Sequence, residues 1–284
     1  MSPWVAAWRR LRRHRMALVC GALLVVIALF CFLGPIAAGF FGIDGVTQDP
    51  RFGATPPSWQ HWMGTDVLGR DLLVRSMEGG RYALLVALVA TAIALVIGVN
   101  YGAISGYAGG RVDEVMMRLV DVLYALPTMM FVIVVQAVVE VRSLFLLFLL
   151  IGAISWLTMA RIVRGLVMGL KHREFVEAAR SLGARPARVL LRHIVPNTAG
   201  AVIIYATLSI PNVMLVEAFL SFLGLGVQAP RASWGTLVAE GVGQIVVYPW
   251  VLLGPGGLLA VTIFAFNFLG DGLRDALDPQ SRGS

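Results

Sequence analysis

Few residues in this chain could do bond chemistry, and they do not gather. There are four histidines, at His14, His61, His172 and His193, and none falls in the middle of an apolar run. The two cysteines, Cys20 and Cys31, both sit in the first apolar run. Eleven residues of helix would hold them roughly 16 Å apart, out of disulfide reach. No Cys-x-x-Cys or Cys/His cluster points to a metal, and the expected reading of both cysteines is packed or lipid-facing apolar residues. Of the 23 basic residues only Lys171 is a lysine. It lies in "GLKHRE", which is not the Gly-Lys-Ser/Thr of a phosphate-binding loop. Any ATP chemistry is therefore expected on another chain, and this chain is expected to be no enzyme and to carry no cofactor of its own.

The acid that stands out is Glu217, in "NVMLVEAFLSFLG". A carboxylate within a membrane span is costly and faces protein or water. Two roles stay open: lining a translocation path, where it could meet a peptide amine or amide, or an inter-helix hydrogen bond that fixes packing. Asn100, Asp121, Gln136 and Asn267 are weaker pathway candidates, of which Asn100 and Gln136 are kept. Arg118 and Asp121 are three apart, as are Asp271 and Arg274, so same-face pairs at helix ends are predicted. Pro127 and Pro211 sit inside apolar runs and are hinge candidates, since proline removes a helix hydrogen bond. Met129, Met130 and Phe131 are expected to pack rather than form a substrate box.

These residues must be positioned by membrane helices. The chain is 58% hydrophobic and 14% charged, whereas soluble domains carry about 25% charged residues. Six apolar runs, about 16–40, 82–105, 116–139, 143–164, 198–224 and 249–270, each approach the ~20 residues that cross a bilayer. Only helices satisfy their own backbone in lipid without closing a barrel. The predicted class is an all-α integral membrane protein with six transmembrane helices. Seventeen of the 23 basic residues fall at Arg9–Arg15, Arg111, Arg118, the run from Arg161 to Arg192, Arg274 and Arg282. Arg51, Arg70, Arg75, Arg81, Arg142 and Arg231 fall on the other side. This bias predicts both termini in the cytoplasm. The run "WRRLRRHR" reads as a topology anchor rather than a nucleic-acid patch, and the long apolar run behind it as an uncleaved span.

The organisation expected is a basic arm over 1–15, a first span over 16–40 and an extracytoplasmic segment over 41–81. A five-span core over 82–274 and a cytoplasmic tail over 275–284 complete it. The segments 41–81 and 225–248 are long enough to form short surface helices, with Ser233 a predicted N-cap for the second.

Within the core, the cytoplasmic loop 165–197 holds "EFVEAARSLGARPARVLLRHIVPN". A helix over 174–182 would align Phe175, Ala178, Ala179 and Leu182 on one face. Glu174 and Glu177 favour its N-terminus, and Gly183 suits the left-handed residue after its end. Pro186 can open a second helix running to about Val195, with Pro196 ending it before the next span. Two helices this short are unstable alone in water, so the first must pack against something. A knob for another protein's cleft and an amphipathic helix lying on the bilayer are both compatible with the residues.

The sequence also resembles a family. Glu177-Ala178-Ala179, Gly183, Ile194 and Pro196 are similar to the EAA loop of binding-protein-dependent ABC importer permeases. The stretches "GTDVLGRD", "GYAGGRVDEVMMRLVD", "SFLGLG" and "FNFLGDGLRDALDP" resemble the oligopeptide/dipeptide branch and its C-type subunit, in order along nearly the whole chain. The resemblance implies a MetI-like type I importer permease fold in a bacterial plasma membrane. It implies half of a translocation pathway, paired with a homologous second permease, two ABC ATPases that bind ATP and magnesium, and an extracytoplasmic substrate-binding protein. Phe175, Glu177, Ala178, Ala179, Leu182, Gly183, Pro186 and Arg188 then fall on the coupling helix and its exit. The alternatives are a permease of the same branch for nickel or glutathione, or a self-contained channel or ion-coupled secondary transporter. The latter would need inverted repeats or several midplane carboxylates, and neither is visible.

Overall fold

The computed structural model describes residues 3–49, 51–139 and 143–277. Arg142, Arg282 and residues 278–284 of the predicted tail lie outside the described residues. The elements are all helices. Helix α1 covers Pro3–Leu11, α2 Arg15–Phe40, α3 Leu72–Ala108, α4 Gly110–Ala125, α5 Thr128–Val138 and α6 Leu144–Leu170. Helix α7 covers Glu174–Ser181, α8 Pro186–Val189, α9 Val195–Phe222, α10 Trp234–Val242 and α11 Pro249–Leu277. A π turn, Leu190–Ile194, joins α8 to α9. Among the described residues five helices are long and apolar enough to cross a membrane, and six if the bent pair α4 and α5 counts as one span.

The centre of the bundle is α3, which packs against α2, α6, α9, α10 and α11. Its closest neighbour is α6, and the reason is local. Gly98, Gly102 and Gly106 recur every four residues along one face. A Cβ at Gly102 would strike the Ala160 carbonyl, so only glycine lets the two backbones approach this closely. The main apolar core lies nearer the start of α3, where Ala83, Leu84, Val86 and Ala87 meet Ile27, Met214, Trp234 and Leu237. Helix starts are capped where the sequence supplies an acceptor. Asp71 accepts from the Val74 amide, Ser143 from Leu146, and Ser233 forms a reciprocal capping box with Thr236.

Four expectations are corrected. First, the second span begins at Leu72 rather than 82. Arg75, Glu78 and the Gly79–Gly80 pair depress its hydropathy, but Arg75 is paired and Gly80 is the contact point for Trp234 and Cys31. The resulting 37-residue helix is roughly 55 Å long and must project beyond a ~30 Å hydrocarbon layer. Second, the third span is broken at Leu126–Pro127, where α4 and α5 meet at 79°. Third, Pro196 ends no helix, because Pro186–Phe222 runs on as one rod. The π turn before Pro196 widens the ladder where its ring would otherwise press on a carbonyl and where it brings no N–H. Fourth, Asp121 does not pair with Arg118. It accepts from Arg161 of α6 at 2.6 Å, while Arg118 lies 3.9 Å from Glu114 in an exposed contact. Similarly, Asp271 and Arg274 form no ion pair among the described residues; at that end Asp275 sits 3.6 Å from His14.

Candidate coupling helix and translocation elements

Helix α7 has eight residues. Glu174 and Glu177 sit in its first turn and Arg180 in its last, the arrangement the helix dipole favours. Its end is a Schellman motif. The Ala184 amide donates to the Ala179 carbonyl at 3.1 Å, and the Gly183 amide to the Arg180 carbonyl at 2.9 Å. Gly183 has φ +78° with open space around it, so it is required for its backbone conformation and not for close packing. Arg185 comes next in extended backbone, and Pro186 opens α8 at its first turn.

The predicted apolar stripe divides in two. Val176 and Ala179 point inward and join Ala103, Val163, Val167, Val189 and Ile194 in a second apolar cluster. The Arg180 guanidinium stacks 5.5 Å from the Tyr107 ring at the end of α3. Phe175, Ala178 and Leu182 are exposed, Leu182 at 89% of its surface. The helix is therefore held to its own bundle by one face and offers a second apolar face outward. The missed residue was Val176, which is three positions before Ala179 and was readable as the start of that inward face. Glu177 and Arg188 are exposed.

Beside α7 lies a cluster that sequence reading missed. Arg164 of α6 makes a bidentate pair with Asp113 of α4, Nε to Oδ1 at 2.5 Å and a terminal nitrogen to Oδ2 at 2.6 Å. Ser105 of α3 donates to the same carboxylate at 2.5 Å, and Lys171 Nζ donates to the Gly106 carbonyl at 3.1 Å. One carboxylate thus gathers the ends of three helices. Its partners lie 8 and 51 positions away, beyond any helical spacing that a sequence shows.

The opposite end of the bundle is tied more heavily. Arg75, 3% exposed, pairs with Asp66 at 2.5 Å and with Glu240 at 2.9 Å. Arg70 reaches Asp66 at 2.7 Å, and His61 Nδ1 lies 2.8 Å from Asp71 Oδ2. Two indoles add backbone links, Trp234 to Ser76 at 2.8 Å and Trp250 to Thr65 at 3.2 Å. Most of 41–71 is thus a non-helical cap across the starts of α3 and α11 and the Glu240 end of α10. The short helix predicted there is absent among the described residues, and the one predicted after Ser233 is α10.

The pathway and hinge candidates do not converge. Glu217 is fully buried between α9 and α10, where Ser221 Oγ donates to it at 2.7 Å and the Ser221 and Ser233 hydroxyls lie 3.3 Å apart. Asn100 is exposed on α3 and donates to the Val96 carbonyl of its own helix. Gln136 is buried at one wall of a cavity of about 390 Å³ closed by Ser143 and Leu225–Arg231. Pro127 stands at the α4–α5 break, and Pro211 is buried inside α9 without interrupting it. Cys20 and Cys31 are buried and free. No group of three His, Cys, Asp or Glu side chains could hold a metal among the described residues.

Comparison with known proteins gives this architecture a context. A family model described as the binding-protein-dependent transport system inner membrane component matches residues 98–283. A second, the N-terminal transmembrane domain of oligopeptide transport permease C, matches residues 2–57. The chain is 48% identical over 283 residues to the oligopeptide transport system permease protein OppC of Escherichia coli strain K12, covering 99% of this chain and 92% of that one. It is 44% identical over 282 residues to OppC of Bacillus subtilis, covering 99% and 91%. Against the dipeptide transport system permease protein DppC of B. subtilis the figures are 41% over 277 residues, 97% and 85%. The chain therefore belongs to the inner-membrane components of binding-protein-dependent transport systems, in the branch that contains the oligopeptide permease C subunits.

Proposed function

We propose that this chain is one transmembrane subunit of an ATP-driven importer of short peptides and that α7 is its joint to an ATPase. The family and the names of its relatives support the peptide class. The observation that carries the joint is the two-faced geometry of α7. Val176 and Ala179 fix the helix to the bundle, and Phe175, Ala178 and Leu182 stand outward within two turns. Small Ala178 between two larger apolar side chains lets a partner's groove come close.

In this reading the chain makes and breaks no bonds. ATP and magnesium belong to two partner ATPases, a second permease subunit completes the pathway, and a binding protein delivers peptide at the end capped by residues 41–71. The plasma membrane holds the assembly, with both termini and α7 on the cytoplasmic side. ATPase closure shifts the equilibrium between inward- and outward-open states only if its contacts to α7 differ between them. The Asp113–Arg164 pair is placed to pass that movement from α6 to the α4–α5 bend.

Peptide uptake and ATPase co-purification test the joint in Ala178→Arg, set against Ala178→Ser. Loss of both in the arginine variant, with normal membrane amounts of the subunit, is expected. Normal uptake in Ala178→Arg would remove α7 as the contact. Reporter fusions at each terminus test the orientation.

A further inference from the structure

Where α6, α9 and α11 end together, beside the joint but apart from it, the helices leave a groove of about 420 Å³. Leu166, Leu170, Ile204, Leu208 and Leu277 give it apolar walls, and the small Gly200 and Ala201 of α9 leave it deep enough to admit a chain. Asn197 to Leu208 spans eleven residues of α9, so the groove runs roughly 16 Å along the helix axis. Of its polar residues, Arg274 and Asn197 stand at one end, and Tyr205 lies along the wall. Arg274, in the last turn of α11, is exposed and has no ion-pair partner among the described residues. The acid next to it, Asp275, is turned toward His14. Asn197 is exposed on the facing helix.

We infer that this groove binds an anionic phospholipid, with an acyl chain along the leucine walls and the phosphate on Arg274. An apolar slot alone would suit any helix or detergent. A guanidinium at the open end selects an amphiphile with a negative head, and its planar fork fits phosphate oxygens two at a time. Basic pockets between membrane helices at the cytoplasmic surface take acidic head groups for the same reason. The inference rests on the membrane placement of the bundle and not on the peptide reading. Arg274, expected from its spacing to anchor the helix end against Asp271, thereby becomes a lipid ligand.

The test uses the assembled transporter purified in detergent and titrated with phosphatidylglycerol or phosphatidylcholine, with bound lipid counted by native mass spectrometry. Wild type is expected to retain phosphatidylglycerol over phosphatidylcholine. Arg274→Gln should lose roughly fivefold in retention, the worth of one basic residue at an anionic surface, and Arg274→Lys should keep most of it. Leu208→Trp, which fills the groove, should lose the lipid while Arg274 stays in place. Equal retention of the two lipids, or of phosphatidylglycerol by wild type and Arg274→Gln, would overturn the site. So would displacement by inorganic phosphate alone, or a photo-crosslinker at Ile204 that captures the partner permease. Peptide uptake in the same preparations reports on the transport reading separately.

Discussion

The two ends of this bundle are built on different physical terms. At one end Asp66, Arg70, Arg75 and Glu240 form a largely buried charge network, with two indole links to backbone and Glu217 held among serines. At the other, an eight-residue helix is held by two small apolar side chains and one cation–π contact, beside a single bidentate ion pair. Buried charge networks are costly to disturb piecemeal, since each broken pair leaves an uncompensated charge. Small apolar contacts of a short helix are weak and can be remade elsewhere. The contrast is that of a heavily tied cap and a lightly held helix, which is what the proposed joint requires.

The largest effect that would break this comparison is at the cap. Arg75→Met should destabilise the subunit by about 3 kcal/mol, because Asp66 is 2% exposed and keeps only Arg70 as a charged partner, beside the Leu68 and Arg70 amides. Thermal unfolding in detergent measures it, and a shift no larger than that of exposed Arg118→Ala would erase the distinction. Next, Gly80→Val should cost roughly 1–3 kcal/mol, since any Cβ there meets Cys31 and Trp234. At the joint, Gly183→Ala should cost about 1–2 kcal/mol, confined to α7, because only the left-handed backbone is strained and no neighbour is struck. Hydrogen exchange over residues 174–184 should report it while the cap stays protected.

The smallest effect expected is at Asp44, in the exposed turn after α2. Its carboxylate accepts from Thr47, from both amide and hydroxyl, and from the Val46 amide, which holds its pKa below the ordinary range. The ionised form thus supports the turn above the unfolded pKa of about 3.9, and that support is lost as pH falls through the folded value. Exchange at the Thr47 amide should quicken only in acid, and Asp44→Ala should remove this dependence.

How much of the molecule was legible in the sequence depends on the range of the interactions. Hydropathy located the five helices long enough to cross and the bent α4–α5 pair, since span length is a local property. Glu174, Gly183 and Pro186 marked α7 and its exit because caps and breakers act within a few residues. The charge clusters were not legible, since Arg75 and Glu240 are 165 positions apart and nothing in either neighbourhood names the other. Misreadings came where a local rule was outweighed. Gly79–Gly80 looks like a helix breaker but is the seat of Trp234. Pro196 looks like a stop, yet the preceding turn had already made room for it. Of the candidate residues, the EAA segment was found as a compact helix, while Glu217, Asn100 and Gln136 proved to occupy three separate surroundings.

That widened turn at Leu190–Ile194 also acts as a length adjuster. It carries one residue more than an α turn would, so it takes up that residue without shifting the angle between α8 on one side and α9 on the other. Removing a single residue there would restore ordinary winding and keep the rod intact. Its loss would therefore leave α8 and the segment leading back to α7 close to their present angle around the axis of α9, whereas the same deletion in the regular winding of α9 would swing them by about 100°. A deletion that is mild at the wide turn would thus point the exposed face of α7 the wrong way a few residues later, so this turn is where the rod tolerates a change of length.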